Sequence, residues 1–131
     1  MAVEIAAGTQ VTKTFIAGED LSAKQYYLVK LSAGNVVACS AATDIPVGVL
    51  QNKPTSGKPA EVVMFGGTKV VSSANLAAGV QFGTTAAGKI VALTPGTDTT
   101  KYVVGTLITA AGADGVIGTA VVNCINPHRA S

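Results

Sequence analysis

The sequence holds no tryptophan, and aromatic residues make up only 5% of it. Nucleic-acid binders combine a clustered basic stripe with aromatic rings on which bases stack. Here the nine basic residues are scattered from Lys13 to Arg129 without a run, so nucleic acid is not an expected partner. No apolar stretch approaches the ~20 residues that a membrane-spanning helix needs, and no membrane partner is expected. The opening residues, Met1-Ala2-Val3-Glu4-Ile5, have no basic segment leading into an apolar stretch. That argues against a secretory signal and for synthesis and folding in a cytoplasm. The two cysteines, Cys39 and Cys124, are then expected to be reduced, buried and packed as small apolar residues. With a single histidine and no Cys-x-x-Cys spacing they make no metal site. No cofactor is expected.

Charge is also scarce. Charged residues are 12% of the chain, against about 25% in an average soluble domain. Apolar residues are 48%, and the net charge is +2. Such a composition points to a surface that ends against something else, whether a partner subunit, a neighbouring protein or a lattice. A small compact domain surfaced with Thr, Ser, Gly and Ala is the alternative. The 131 residues are one domain's worth. A chain of that size buries roughly two thirds of its surface and needs no disulfide or metal staple.

What is plentiful is β-forming residues and turn residues. Val, Ile and Thr recur throughout, and Gly, Asn, Pro and Ser punctuate them about every 8 to 12 residues, the spacing of a sandwich or barrel. No window holds a helical apolar period for the ~10 residues a helix needs. Residues 25–31 read as a strand with Tyr26, Leu28 and Lys30 on one face. Ala33-Gly34-Asn35 reads as a hairpin turn, because Gly and Asn accept positive φ. Residues 36–39, 45–50 and 61–65 read as further strands. Gly66-Gly67 then breaks the chain before a short strand at 68–71. Residues 73–79 form a single helical turn on this reading, capped by Ser72 or Ser73 and ended by Gly79. Residues 94–100 form an exposed loop, and the C-terminal residues fray.

The pattern predicts an all-β chain: a compact β-barrel or sandwich of two similar meanders with an extended N-terminal arm. The arm covers residues 1–14, a single β domain covers 15–125, and a polar C-terminal tail covers 126–131. An internal duplication of 21–64 and 76–123 is suggested by paired segments. Leu21-Ser22-Ala23 resembles Leu76-Ala77-Ala78, and Gly34-Asn35-Val36-Val37 resembles Gly88-Lys89-Ile90-Val91. Val47-Gly48-Val49 resembles Val104-Gly105-Thr106, and Val62-Val63 resembles Val121-Val122. Unrelated meanders also look alike at this level.

Chemistry has few candidates. His128 lies near the end of the chain, where a general base is poorly held, and no second histidine can activate either thiol. The carboxylates Glu4, Glu19, Asp20, Asp44, Glu61, Asp98 and Asp114 fall mostly at turns or in the arm. Glu19-Asp20 reads as a turn in which Asp20 bonds its own backbone. Gly66-Gly67-Thr68-Lys69 lacks the residue order, upstream glycines and following helix of a phosphate loop. Asp114-Gly115 reads as a hairpin turn. No catalytic residue is assigned, and the chain is read as a non-enzyme.

Several stretches taken in order resemble a known family. They are Phe15-Ile16-Ala17-Gly18-Glu19-Asp20-Leu21, the Tyr26-Tyr27-Leu28-Val29 strand and the Gly34-Asn35-Val36-Val37 hairpin. Asp44-Ile45-Pro46-Val47-Gly48-Val49-Leu50, Leu76-Ala77-Ala78-Gly79-Val80-Gln81-Phe82 and Ala86-Ala87-Gly88-Lys89-Ile90-Val91 complete the set. In this order they resemble the capsid decoration (cement, head-stabilising) proteins of tailed bacteriophages, over residues 15 to 123. The resemblance implies a β domain of barrel or tulip type and no catalytic residues. It also implies a place on the outer surface of the virion capsid, bound to the major capsid protein, with trimers as the favoured homo-oligomer. An extended arm can add a strand to an exposed sheet edge, so Val3, Ile5, Val11 and Phe15 are the expected capsid or subunit contacts. Competing readings are a tail or fibre component, a carbohydrate-binding module, and a trimeric β enzyme with a shared site.

Overall fold

The computed structural model describes residues 10–131. Every regular element among them is a strand: β1 (Gln10–Ile16), β2 (Leu28–Ser32), β3 (Asn35–Ala38), β4 (Gly48–Leu50), β5 (Pro59–Val71), β6 (Gln81–Thr84), β7 (Ile90–Ala92), β8 (Tyr102–Val103), β9 (Gly105–Leu107), β10 (Ile117–Asn123) and β11 (His128–Arg129). The main sheet runs β3-β2-β4-β5-β10-β9-β6-β7 with β1 added on β5, and β8 pairs β11 separately. Every pairing between these strands is antiparallel. The fold is all-β and barrel-like.

Turn chemistry places the strands. Ala33 and Gly34 take φ of 51° and 84°, the paired positive values that a tight hairpin between β2 and β3 requires. The strand expected from residue 25 starts only at Leu28. Tyr26 adopts φ 67°, so that its N–H donates to the Leu50 carbonyl (2.7 Å) and its own carbonyl accepts from Val71 N–H (3.2 Å). Those two long-range bonds outweigh the β preference of the Tyr-Tyr pair. Gly66-Gly67 does not break the chain either. β5 continues through it, because Gly66 is paired on one side with Gln10 and on the other with Val122. A bulge between Val11 and Thr12 absorbs the irregularity.

No helical turn forms at 73–79. Ser73 N–H donates to Ile90 and Leu76 N–H to Ala111, so these amides are committed to cross-chain carbonyls. The C-terminal segment is pinned rather than frayed. His128 and Arg129 pair with Val103 and Tyr102, and Ala130 is buried, with its N–H on the Lys101 carbonyl (3.0 Å).

The two halves of the chain repeat one hydrogen-bond pattern. In the first unit β2 pairs with β3 and β4, and β4 with β5. In the second, β6 pairs with β7 and β9, and β9 with β10. The Val47-to-Val29 bond (2.8 Å) has its counterpart in Val104-to-Phe82 (2.9 Å), and Tyr26-to-Leu50 (2.7 Å) in Gly79-to-Leu107 (2.7 Å). The left-handed positions recur as well: Gly34 with Gly88, Gly57 with Gly115, and Tyr26 with Gly79. The C-terminal half of β5 does for the second unit what β1 does for the first. Phe15 opposite Ala60 corresponds to Val70 opposite Gly118. The register equates Val62 with Ala120 and Val63 with Val121, one residue off the alignment of Val62-Val63 with Val121-Val122.

Each unit curls until the chain leaving its first strand bridges its hairpin in parallel, at Ala17–Val36 and at Ser72–Ile90. The first unit has its own core of Leu21, Val29, Val36, Leu50, Ala60 and Val62. The second is built on Phe82, Ile90, Leu107 and Ala120, and its core also takes in Leu28, Cys39, Val49 and Val63 from the back of the first unit. Val62 and Val63 are therefore both buried although they face opposite sides of β5.

Candidate interaction surface

The polar side chains hold turns together. Asp20 accepts from Ser22 N–H at 3.0 Å, the turn expected from its sequence, and Glu19 accepts from Ala38 N–H at 3.0 Å. Asp44 accepts from Ser40 and Ala41 N–H (2.8 and 2.9 Å) and pairs with Lys30 at 2.9 Å. Partial burial works to raise the Asp44 pKa, but the Lys30 ammonium and the two amides prevail and hold it below the usual carboxylate value. Asp98 accepts from Thr94 N–H (2.7 Å) and pairs with Lys101. Asp114 pairs with Lys89 at 2.9 Å, and Glu61 accepts from the Thr14 hydroxyl at 2.7 Å. Glu4 lies outside the described residues. Among the described residues, no group of His, Cys, Asp and Glu is placed to hold a metal ion.

His128 is exposed on β11 and lines a shallow groove with Gln81, Thr106 and Asn123. Each tyrosine ring is faced by a cation: Tyr26 by Lys69 (5.9 Å), Tyr27 by Lys24 (4.9 Å) and Tyr102 by Arg129 (5.7 Å). A sugar platform needs open ring faces, and these have one face occupied.

Cys39 and Cys124 are buried in the same cluster. Burial pushes both thiols from 9.0 up to about 12. Folding therefore favours the protonated thiols. Their contribution to stability is whole below pH 9 and is lost as pH climbs through the folded value near 12. Neither thiol is expected to react with an aromatic disulfide reagent at about pH 8 until denaturant is added, since the thiolate is the nucleophile. Fast labelling of the folded protein would contradict this.

Exposed apolar residues surround β1. Of the expected contact residues, Val3 and Ile5 lie outside the described residues. Val11 is 47% exposed and sits opposite Phe65, itself 42% exposed. Phe15 is half-buried against the first unit's core, with the Lys13 ammonium 5.4 Å from its ring. Ile16 is 43% exposed. Val62 and Val63 pair with both β1 and β4, and Phe65 and Gly66 with both β1 and β10. So β1 occupies one edge of β5 while β4 and β10 share the other. No strand among the described residues pairs with the outer edge of β1. Phe65 was not among the expected contacts, because its alternating strand reads as core. Phe65 lies beside the register shift between Val11 and Thr12.

The opposite end of the molecule differs in character. Leu28, Val49 and Val63 on the back of the first unit are buried. Their register counterparts in the second unit are Gln81, Thr106 and Val121. Two of the three apolar positions have become polar, and the third, Val121, is exposed.

No protein-family model and no curated protein matches the sequence. The fold is similar to the crystal structure of the N base of head fiber gp8.5 from bacteriophage phi29. The match has a TM-score of 0.62 at 19% identity and covers 88% of this chain and 95% of that one. Residues 10–131 thus form an all-β chain with the fold of a phage head-fiber base.

Proposed function

We propose that the chain is a structural virion protein that binds the outer surface of a phage head and stabilises the lattice of the major capsid protein. The observation that carries this reading is the fold shared with a head-fiber base over 88% of the chain. The scarcity of charge and the open apolar surface around β1 accord with a protein that works by contact rather than by catalysis. Val3, Ile5, Val11 and Phe15 are proposed to meet the capsid or a neighbouring copy. Self-association, with a trimer favoured, would draw on exposed apolar residues elsewhere. Leu31 and Ile45, 54% and 51% exposed, flank a groove also lined by Pro46 and Val47.

Co-sedimentation with heads assembled from the major capsid protein of the same genome, before and after expansion, tests the reading. Saturable binding to expanded heads with raised resistance to heat is expected. No binding to either form would refute it. The similarity to a head-fiber base favours a second reading, in which the chain is the head-proximal part of a fibre. That reading predicts elongated assemblies by electron microscopy and no gain in head stability.

A further inference from the structure

We propose that residues 125–131 act as a latch. The segment opens from β8 and from the 94–101 loop as one piece while both units stay folded, and its opening removes part of the wall of two surface grooves. This goes beyond the head-binding reading and does not depend on it.

The segment is built apart from the rest of the molecule. Among the described residues β11 pairs only with β8, in a sheet separate from the main one. After Cys124 only Ala130 is buried; Ile125, Asn126, His128, Arg129 and Ser131 are exposed. The Ala130 methyl sits in a small cluster with Leu93 and Val103, distinct from both larger cores. Its N–H donates to the Lys101 carbonyl (3.0 Å), and its own carbonyl accepts from Gly96 N–H (2.8 Å). Arg129 Nε donates to the Tyr102 hydroxyl at 3.3 Å. One buried methyl and a few hydrogen bonds hold far less surface than either larger core, and local opening draws on regions of that kind. The main sheet does not need the segment. Val104 N–H donates to the Phe82 carbonyl (2.9 Å), and the Val104 carbonyl accepts from Asn123 N–H (2.7 Å), so β6, β9 and β10 stay joined without β11.

The hinge lies directly after β10. Asn126 N–H donates to the Asn123 side-chain oxygen at 3.1 Å, a bond made within the turn itself, and Pro127 has a fixed φ. The turn therefore keeps its shape when the strand beyond it swings away. Cys124 and Pro127 line one groove with Leu31, Ile45 and Pro46. Asn126 and His128 line another with Gln81 and Thr106. One short segment thus shapes both grooves. Opening it uncovers Leu93 and Val103 and admits water beside Cys124. Cys39 lines a different groove, with Glu19 and Ala87, and the segment has no part in that one.

Two measurements on the full chain test the latch. The first is native-state hydrogen exchange of the wild type at low denaturant. The amides of Gly96 and Ala130 are expected to share one opening equilibrium, at least about a hundredfold more open than Val104 and Leu107 and nearly independent of denaturant. Opening at the same equilibrium as Val104 and Leu107 would mean that the segment leaves only when the whole chain unfolds, and would overturn the inference. Separate equilibria for Gly96 and Ala130 would overturn it too. The second is Ala130→Asp, which places a carboxylate in the apolar cluster, with circular dichroism as the check on folding. Alkylation of Cys124, read by mass spectrometry, is expected to speed up at least about tenfold, with Cys39 within about twofold of wild type. An equal gain at both thiols, or no gain at Cys124, would refute the latch. The exchange measurement decides the matter alone if the variant does not fold.

Discussion

Gly48→Ala is expected to destabilise the protein by about 3 kcal/mol, at the upper end of what overpacking costs. Gly48 lies on β4, close against the backbone of β5. A Cβ there would run into the Val63 carbonyl and the Val62 side chain, both on β5. The carbonyl belongs to a central strand paired on both edges, so it cannot yield without breaking ladder bonds. The counterpart, Gly105, is similarly confined: its Cβ would lie 2.7 Å from the Val121 carbonyl and 2.5 Å from Phe82 Cζ. Gly112 has open space around it and no left-handed backbone, so Gly112→Ala should change stability by no more than about 0.5 kcal/mol. Denaturant unfolding of the three variants checks the set. A Gly48→Ala midpoint equal to wild type would show that β4 and β5 are not as closely packed as described.

Phe82→Ala should cost about 3 to 5 kcal/mol, the range for emptying a buried phenylalanine site. Phe82 heads the fully buried side chains by volume. Its neighbours cannot collapse into the space, because they are fixed by β6 pairing with both β7 and β9. Since the second unit's core also takes in Leu28, Val49 and Val63, both units should unfold in one transition, read as a lowered midpoint with the slope retained. Two separate transitions would show that the units are energetically independent. Val11→Ala, on the exposed strand, should stay within about 0.5 kcal/mol of wild type.

Much of the β organisation was legible along the chain because its determinants are local. The hairpin at Ala33-Gly34 needs only residues that accept positive φ, and the Asp20 turn needs only a carboxylate two residues before an amide. Tyr26, Gly66-Gly67 and the 73–79 segment were read differently from how they fold. In each, the deciding bonds come from residues far away in sequence: Leu50 and Val71 for Tyr26, Gln10 and Val122 for Gly66, Ile90 and Ala111 for Ser73 and Leu76. The C-terminal residues read as a loose polar tail for the same reason, because their partners are on β8.

The candidate surface was legible only in part. Val11 and Phe15 stand out as apolar residues near one end of the chain, whereas Phe65 reads as core. By itself the amino-acid order determined an all-β chain and the places of several tight turns. Tertiary structure decided which copy of each repeated position is covered. Phe15, Phe65 and Phe82 all lie in strand-like local sequence, yet only Phe82 is fully buried. Burial is set by strands that arrive from the other unit, and periodicity along one strand carries no information about them.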